Sequence, residues 1–269
     1  MSEEWLKAAS RTIKAARVDP SVPNVARVWN YLVGGRDNFE TDRQAARQLI
    51  AAAPVMEHVA PASRAFLRRA VTYLAAEARV RQFLDIGTGM PTAGNTHEVA
   101  QAVDPSCRIV YVDNDPVVLA HARAGLRSSP EGATSYLDAD ARDTKAIVAG
   151  AGETLDFDQP VGVIMIDILN FLQDAGDVLS RLAAEVPAGS YLVAMQPTRD
   201  ERLTVAARRW NQLAPIPVIL RDRVQVGRWF SGLELVEPGI DEVHQWRPVP
   251  GDPDCPGGMP LLGAVARKP

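Results

Sequence analysis

Cysteine is scarce in this chain of 269 residues. Cys107 and Cys255 are the two present, far apart and without partners at metal-ligand spacing. That argues against a disulfide framework or a metal knuckle, and two free thiols in a reducing, cytoplasmic compartment are expected. A basic excess is also missing: 29 Lys and Arg stand against 33 Asp and Glu, for a net charge of −4. Nucleic-acid binders usually show the opposite balance, so no nucleic-acid partner is expected. The best apolar run, Val161 to Leu172, is too short to span a bilayer and contains Asp167. No membrane partner is expected from it. Met1-Ser2-Glu3-Glu4 is acidic and no apolar core follows, so no signal peptide is expected. Internal repeats, low-complexity tracts and a metal constellation are lacking as well.

What is present is an ordinary globular composition, 46% hydrophobic and 23% charged, long enough for one large α/β unit. Trp5, Leu6, Ala9, Ile13 and Ala16 predict a helix over residues 3 to 17. Asn24 can cap a short second helix carrying Val25, Val28, Trp29 and Leu32, which Gly34-Gly35 stops. A third helix is expected from Thr41 to Ala53. A fourth, from near Ser63, carries Phe66, Leu67, Ala70, Val71 and Leu74 in a stripe, with Arg64, Arg68 and Arg69 off it. From there strands and helices alternate. Phe83–Ile86, Arg108–Val112, Thr134–Leu137, Val161–Ile166 and Tyr191–Met195 read as strands, and alternation of this kind implies a parallel sheet with right-handed crossovers. Residues 247 to 260 hold five prolines and three glycines, read as a long connection into an antiparallel last strand over Leu261–Ala266. Residues 1–80 are expected to form a helical cap packed on a Rossmann-like core of residues 81–269, the two making one compact unit.

The chemistry centres on Phe83-Leu84-Asp85-Ile86-Gly87-Thr88-Gly89-Met90-Pro91. A short buried strand ends in two glycines, and Asn95 with Glu98 then opens a helix in the manner of a capping box. Such a turn lets a nucleotide-like ligand lie across a sheet edge, although a tight turn with no ligand has the same signature. Asp113 ends the second strand, and Asp115 is better placed to cap the following helix. Asp113 is therefore read as the acceptor for both ribose hydroxyls, with Asn114 beside it. The run lacks the third glycine of a dinucleotide turn, and the helix starts late for a pyrophosphate. A ligand without phosphates fits better, and S-adenosylmethionine meets that description. Asp140 and Ala141 could hold the adenine edge, or belong to a solvated acidic loop. Asp167 interrupts an apolar run and needs a partner, either a substrate or cofactor amine or a structural hydrogen bond.

These pieces resemble the class I S-adenosylmethionine-dependent methyltransferases, and more narrowly a bacterial family of S-adenosyl methyltransferase domains long labelled as of unknown function. The matching pieces are Asn24 to Phe39, Arg64 to Ala70, Phe83 to Thr92, Asn95 to Ala100, Tyr111 to Pro116, Ala139 to Asp143 and Leu235 to Gly239, of which the first and fourth are specific to the narrow family and the glycine turn alone is not. It implies a seven-stranded sheet with its last strand antiparallel, and S-adenosyl-L-methionine as cofactor with S-adenosyl-L-homocysteine as product. It names no substrate. The family carries Asn where this chain has Ser63, and often His where it has Asn170.

The expected function is methyl transfer to a small-molecule acceptor. Asp85, Gly87, Thr88 and Gly89 would place the methionine end. The segment Tyr31 to Phe39 is expected to fold over the cofactor, with Tyr31, Gly34, Gly35 and Asn38 near it and Arg64 toward the methionine carboxylate. Residues 197–220 would shape the acceptor pocket. His97 is placed on a helix surface. Two rivals are a cofactor-binding sensor without turnover and a nicotinamide-dependent oxidoreductase, the latter disfavoured by the missing glycine.

Overall fold

The computed structural model describes residues 19–125 and 127–269, so the helix expected over residues 3 to 17 lies outside the described residues. Asn24 caps the first described helix, α1 (Val25–Leu32), by accepting from the Arg27 backbone N–H. Helix α2 (Glu40–Ala52) follows. The Arg27 guanidinium donates to Asp42 at 2.7 Å, both side chains being buried, and Asp42 also accepts from the backbone N–H groups of Asn24 and Phe39. One carboxylate thus joins both helices.

Helix α3 (Met56–Ala76) starts seven positions before the expected residue Ser63, and Pro61 lies inside it. Proline there withholds a single N–H from the carbonyl of Glu57, an exposed residue, and the helix continues. Arg69 corrects the sequence reading too. It is buried, donating to the Trp246 carbonyl at 2.9 Å and pairing with Asp252.

The sheet is built from β1 (Gln82–Ile86), β2 (Arg108–Asp113), β3 (Ala133–Asp138), β4 (Val161–Met165), β5 (Tyr191–Pro197), β6 (Glu234–Leu235), β7 (Asp241–Glu242) and β8 (Leu261–Arg267). Its order is β3-β2-β1-β4-β5-β8-β6, with β7 also paired to β8. The first five strands run parallel, and β8 is antiparallel to β5 in the register Tyr191 to Arg267. The two short pieces β6 and β7 share the far edge of β8 and fill the seventh place.

Between the strands lie α4 (Thr96–Val103), α5 (Pro116–Gly125), α6 (Thr144–Ala151), α7 (Ala175–Glu185), α8 (Glu201–Leu213) and α9 (Arg223–Arg228). Both sheet faces are covered, which is why the parallel strands read as unbroken apolar runs. Leu84, Val110 and Val163 pack toward α6 and α7, while Phe83, Ile109 and Ile164 pack toward α3 and α4.

The helices before residue 80 pack in two places. Phe66 and Leu74 of α3 are buried in one cluster with Phe83, Ile109 and Val265 of the sheet, so α3 is a layer of the core. The cap proper is α1 and α2, which pack on Trp210 of α8. Among the described residues no helix is long and apolar enough to cross a membrane.

Candidate functional site

A cavity of about 520 Å³ opens over the carboxyl ends of β1, β2 and β4, the edge where open parallel sheets bind ligands. Its wall includes Arg64, Asp85, Gly87, Thr88, Gly89, Asp113, Asn114, Asp140, Ala141 and Asp167, ten of the residues that the sequence singled out.

The two glycines of the turn have different reasons. Gly87 has φ +76°, and a Cβ there would lie 2.6 Å from the side chain of Ile168. It is glycine because the turn after β4 packs against it. Gly89 has φ +65° and nothing within 4 Å of a Cβ position, so it borders open space.

Asp113 is less free than the sequence suggested. One oxygen accepts from the Gly89 N–H and the other from the Asp115 N–H, each at 2.9 Å. Each carboxylate oxygen keeps further acceptor capacity. Burial raises the Asp113 pKa. Asp115 accepts from the Val117 N–H, capping α5 as expected, and its second oxygen accepts from the Asn24 side chain at 2.9 Å. The cap is thereby moored to the end of β2.

Asp85 accepts from the Thr96 hydroxyl at 2.6 Å, and burial pushes its pKa up to about 6 against the pull of that bond and of Arg64. Asp167 has φ +61°, a strained backbone for a residue with a side chain. It accepts from the Ser63 hydroxyl, and its enclosure raises its pKa to about 7. Ser63 therefore serves as the hydrogen-bond partner that a carboxylate in this wall requires. Arg64 donates to the Gly94 carbonyl at 2.8 Å, anchored to the loop before α4. Asp140 differs from these carboxylates. The Arg142 side chain and N–H hold it, and its pKa falls to about 2.

Four expected site residues do not line the cavity. Val25, Val28, Trp29, Leu32 and Val33 do, because they lie on one face of α1, and Tyr31 falls on another face. Tyr31 packs into the cluster with Ala45, Leu49 and Trp210. Gly35 is required by Asn30, whose side chain fills the place that a Cβ would take. The Asn30 side-chain oxygen accepts from the Asp37 N–H and the Asn38 side chain, so Asn38 is used within the loop. Gly34, with φ +82° and nothing near it, makes the turn after α1.

His97 is also corrected. It is buried, and its backbone N–H and ring Nδ1 both lie 2.8 Å from the Tyr111 hydroxyl. Among the described residues no group of three or more His, Cys, Asp or Glu could hold a metal ion.

Sequence reasoning missed Asn24 and Thr92 in the wall. Asn24 was legible as a helix cap, and its second partner is 91 residues away. The residues of 197–220 that reach the wall include Pro197, Leu203, Trp210, Ile216 and Leu220.

The sequence profile of a family described as S-adenosyl methyltransferase matches residues 11–269. A DUF574 family protein from Streptomyces avermitilis shares 40% identity, with a TM-score of 0.90 over 94% of this chain and 100% of that one. A protein from Thermobifida fusca assigned as a methyltransferase shares 36% identity, with a TM-score of 0.82 over 92% of this chain and 96% of that one. Magnesium protoporphyrin IX methyltransferase from Synechocystis, solved with bound S-adenosylhomocysteine, shares 12% identity over 86% of this chain and 95% of that one. Its TM-score of 0.53 indicates a common fold, the class I methyltransferase sheet. No curated protein matches the chain.

Proposed function

This chain belongs to the S-adenosyl methyltransferase family, and from that footing we propose that it binds S-adenosylmethionine and transfers its methyl group to a small-molecule acceptor. The observation that carries the reading is the pair of Gly89 and Asp113. An open glycine turn and an oriented carboxylate meet over the sheet edge, as a ribose without an adjoining pyrophosphate requires.

The charge of the wall supports the same ligand. Asp85, Asp113, Asp115, Asp140 and Asp167 line the cavity, against Arg64 and Arg142. That acidic excess suits a sulfonium cation. When bound, S-adenosylmethionine supplies an electrophilic methyl group. In this reading Asp113 and Asn114 hold the ribose, and Asp140 and Ala141 border the adenine. Arg64 offers a cation to the methionine carboxylate, and Asp85 an anion to its ammonium. Asp167 completes the negative wall, held in place by Ser63.

The rest of the catalysis asked of the protein is alignment and exclusion of water. Helix α1 closes over the polar wall through the Asn24–Asp115 bond. The cavity continues past the polar wall into an apolar space, which favours turnover over a sensor role, since a sensor needs no room for an acceptor.

Calorimetric titration with S-adenosylmethionine, S-adenosylhomocysteine and NAD in parallel tests the reading. Binding of the first two and not the third is expected. Binding of NAD alone would overturn it.

A further inference from the structure

Asp167 is a cavity-wall carboxylate to which the cofactor brings no donor group. Its placement is set from two sides. The Ser63 hydroxyl donates to Oδ2. Ile168, the next residue, fills the space beside Gly87, so the turn after β1 helps to hold Asp167 at its φ of +61°. Strained backbone of this kind persists where its surroundings fix it, and it marks places where a side chain must be aimed. The other oxygen, Oδ1, has no hydrogen-bond partner among the described residues and is not one of the fully enclosed side-chain atoms. Asp167 is partly buried and lines the cavity.

The sheet order places this carboxylate at a boundary. Asp113 ends β2, Asp85 lies in β1, Asp167 follows β4 and Pro197 ends β5, in that order across the sheet. Beyond β5 the cavity is walled by α1, α2, α8 and the connection after α8, and no charged side chain from these elements reaches it. Two links tie Asp167 to that apolar half. On the face of α3 that holds Ser63, Val59 and Met56 line the cavity one and two turns away, and Met56 packs with Leu49 and Trp210. In the turn after Asp167, Phe171 lies beside Trp210, with ring centroids 6.4 Å apart.

Asp85 and Asp167 share the pull of Arg64. In the cofactor reading Arg64 faces the methionine carboxylate and Asp85 the ammonium. The sulfonium carries charge but has no N–H to donate, so Oδ1 of Asp167 stays unfilled. A carboxylate beside an apolar wall needs a donor that is also a cation. We propose that the methyl acceptor is an amine with an apolar body, whose ammonium group donates to Oδ1 of Asp167. The inference rests on the polar half being the S-adenosylmethionine site. Trp29, Phe171 and Trp210 supply aromatic surface for the body of the amine. For reaction the ammonium gives one proton to Asp167, and the neutral nitrogen attacks the methyl carbon. The N–C bond forms as the S–C bond breaks, the electron pair stays on sulfur, and the methylated nitrogen carries the positive charge. The sulfonium lowers the pKa of the neighbouring ammonium, and enclosure raises that of Asp167 to about 7, so both ends ease the proton transfer. A carboxylate acceptor would set two anions together.

The test uses the full chain saturated with S-adenosylhomocysteine and three probes built on one ring: phenethylamine, phenethyl alcohol and phenylacetate. Calorimetry at about pH 8 should show the amine binding roughly tenfold more tightly than the alcohol, the gain of a charged hydrogen bond over a neutral one. Phenylacetate should not bind measurably. In Asp167→Asn, which keeps an oxygen for Ser63, the amine should fall roughly tenfold, to the affinity of the alcohol. Titration of the amine in two buffers of unlike ionisation enthalpy counts protons. At about pH 7 the wild type should release about half a proton, because the bound cation ionises Asp167, and the variant should release less. Asp85 and Arg64, the other charged groups at this end of the cavity, are present in both proteins.

The alcohol binding as tightly as the amine, measurable binding of phenylacetate, amine affinity indifferent to Asp167→Asn, an equal proton count in the two proteins, or no probe binding at all would each overturn the proposal. Titration of Asp167→Asn with S-adenosylhomocysteine should match the wild type; its loss in the variant alone would make Asp167 a cofactor residue and overturn the proposal too. If neither protein binds S-adenosylhomocysteine, the cofactor reading falls, while the probe titrations, repeated without it, still report on Asp167 and the apolar half.

Discussion

Gly89 and Asp113, 24 residues apart, are joined by a hydrogen bond of 2.9 Å from the backbone N–H of one to the carboxylate of the other. The bond ties the turn after β1 to the end of β2. With the Asp115 N–H on its other oxygen, the carboxylate is oriented before any ligand arrives.

Asp113→Ala should therefore weaken S-adenosylmethionine binding by roughly 100-fold or more, the loss of two hydrogen bonds to a charged group. Asp113→Asn should recover little, since its NH₂ group would face one of the two N–H donors that the carboxylate now accepts. Calorimetry on both variants, with thermal unfolding as the control for folding, checks this. Wild-type affinity in Asp113→Ala would remove Asp113 from the site.

Binding should depend on pH through Asp85 and Asp167, raised by burial to about 6 and about 7. A cationic ligand favours their ionised forms, so affinity for S-adenosylmethionine should rise from about pH 5 to about pH 8. S-adenosylhomocysteine, without the sulfonium charge, should respond less. The unliganded protein has the opposite trend. Between about pH 4 and about pH 7 the folded carboxyls retain protons that the unfolded chain has released. This contribution to stability is thus full below about pH 4 and is lost as pH rises through the folded values. Asp167→Asn should flatten the upper part of both curves. An affinity equal at both ends of the range would contradict the assignment.

The two turn glycines should separate in a mutant pair. Gly87→Ala adds a Cβ against Ile168 at an unfavourable φ, and should cost about 1–3 kcal/mol of stability together with binding. Gly89→Ala meets no protein atom, so its stability cost should be about 1 kcal/mol and its loss of S-adenosylmethionine affinity proportionally greater. Equal ratios of the two losses would mean that Gly89 does not border the ligand.

Removing the buried ion pair should loosen the cap. Asp42→Ala leaves Arg27 buried without its anion and two backbone N–H groups without an acceptor. A loss of about 3–5 kcal/mol is expected in thermal or denaturant unfolding. Amide exchange should quicken first in α1 and α2. Gly34→Ala, by contrast, should cost about 1 kcal/mol from its positive φ and leave cofactor affinity unchanged, because Gly34 lies outside the cavity wall.

Much of this protein was legible in one dimension, for reasons of local physics. Alternating apolar runs separated by capped helices imply a parallel sheet, and Asp115-Pro116, Asn24 and Glu98 marked helix starts that the structure retains. Gly87, Gly89 and Asp113 could be read because a strand end, a glycine turn and an acid one strand later are set by chain order. Other features depended on neighbours distant in sequence. Gly35 looked like a ligand-facing glycine until Asn30 was found filling the space beside it. Arg69 and His97 looked exposed until the 243–252 connection and Tyr111 were found covering them. Asn170 was visible as a residue, but only the tertiary structure buries its side-chain oxygen without a partner. Helix periodicity and turn chemistry are written within a few residues, whereas the partner of a polar atom is chosen by the fold.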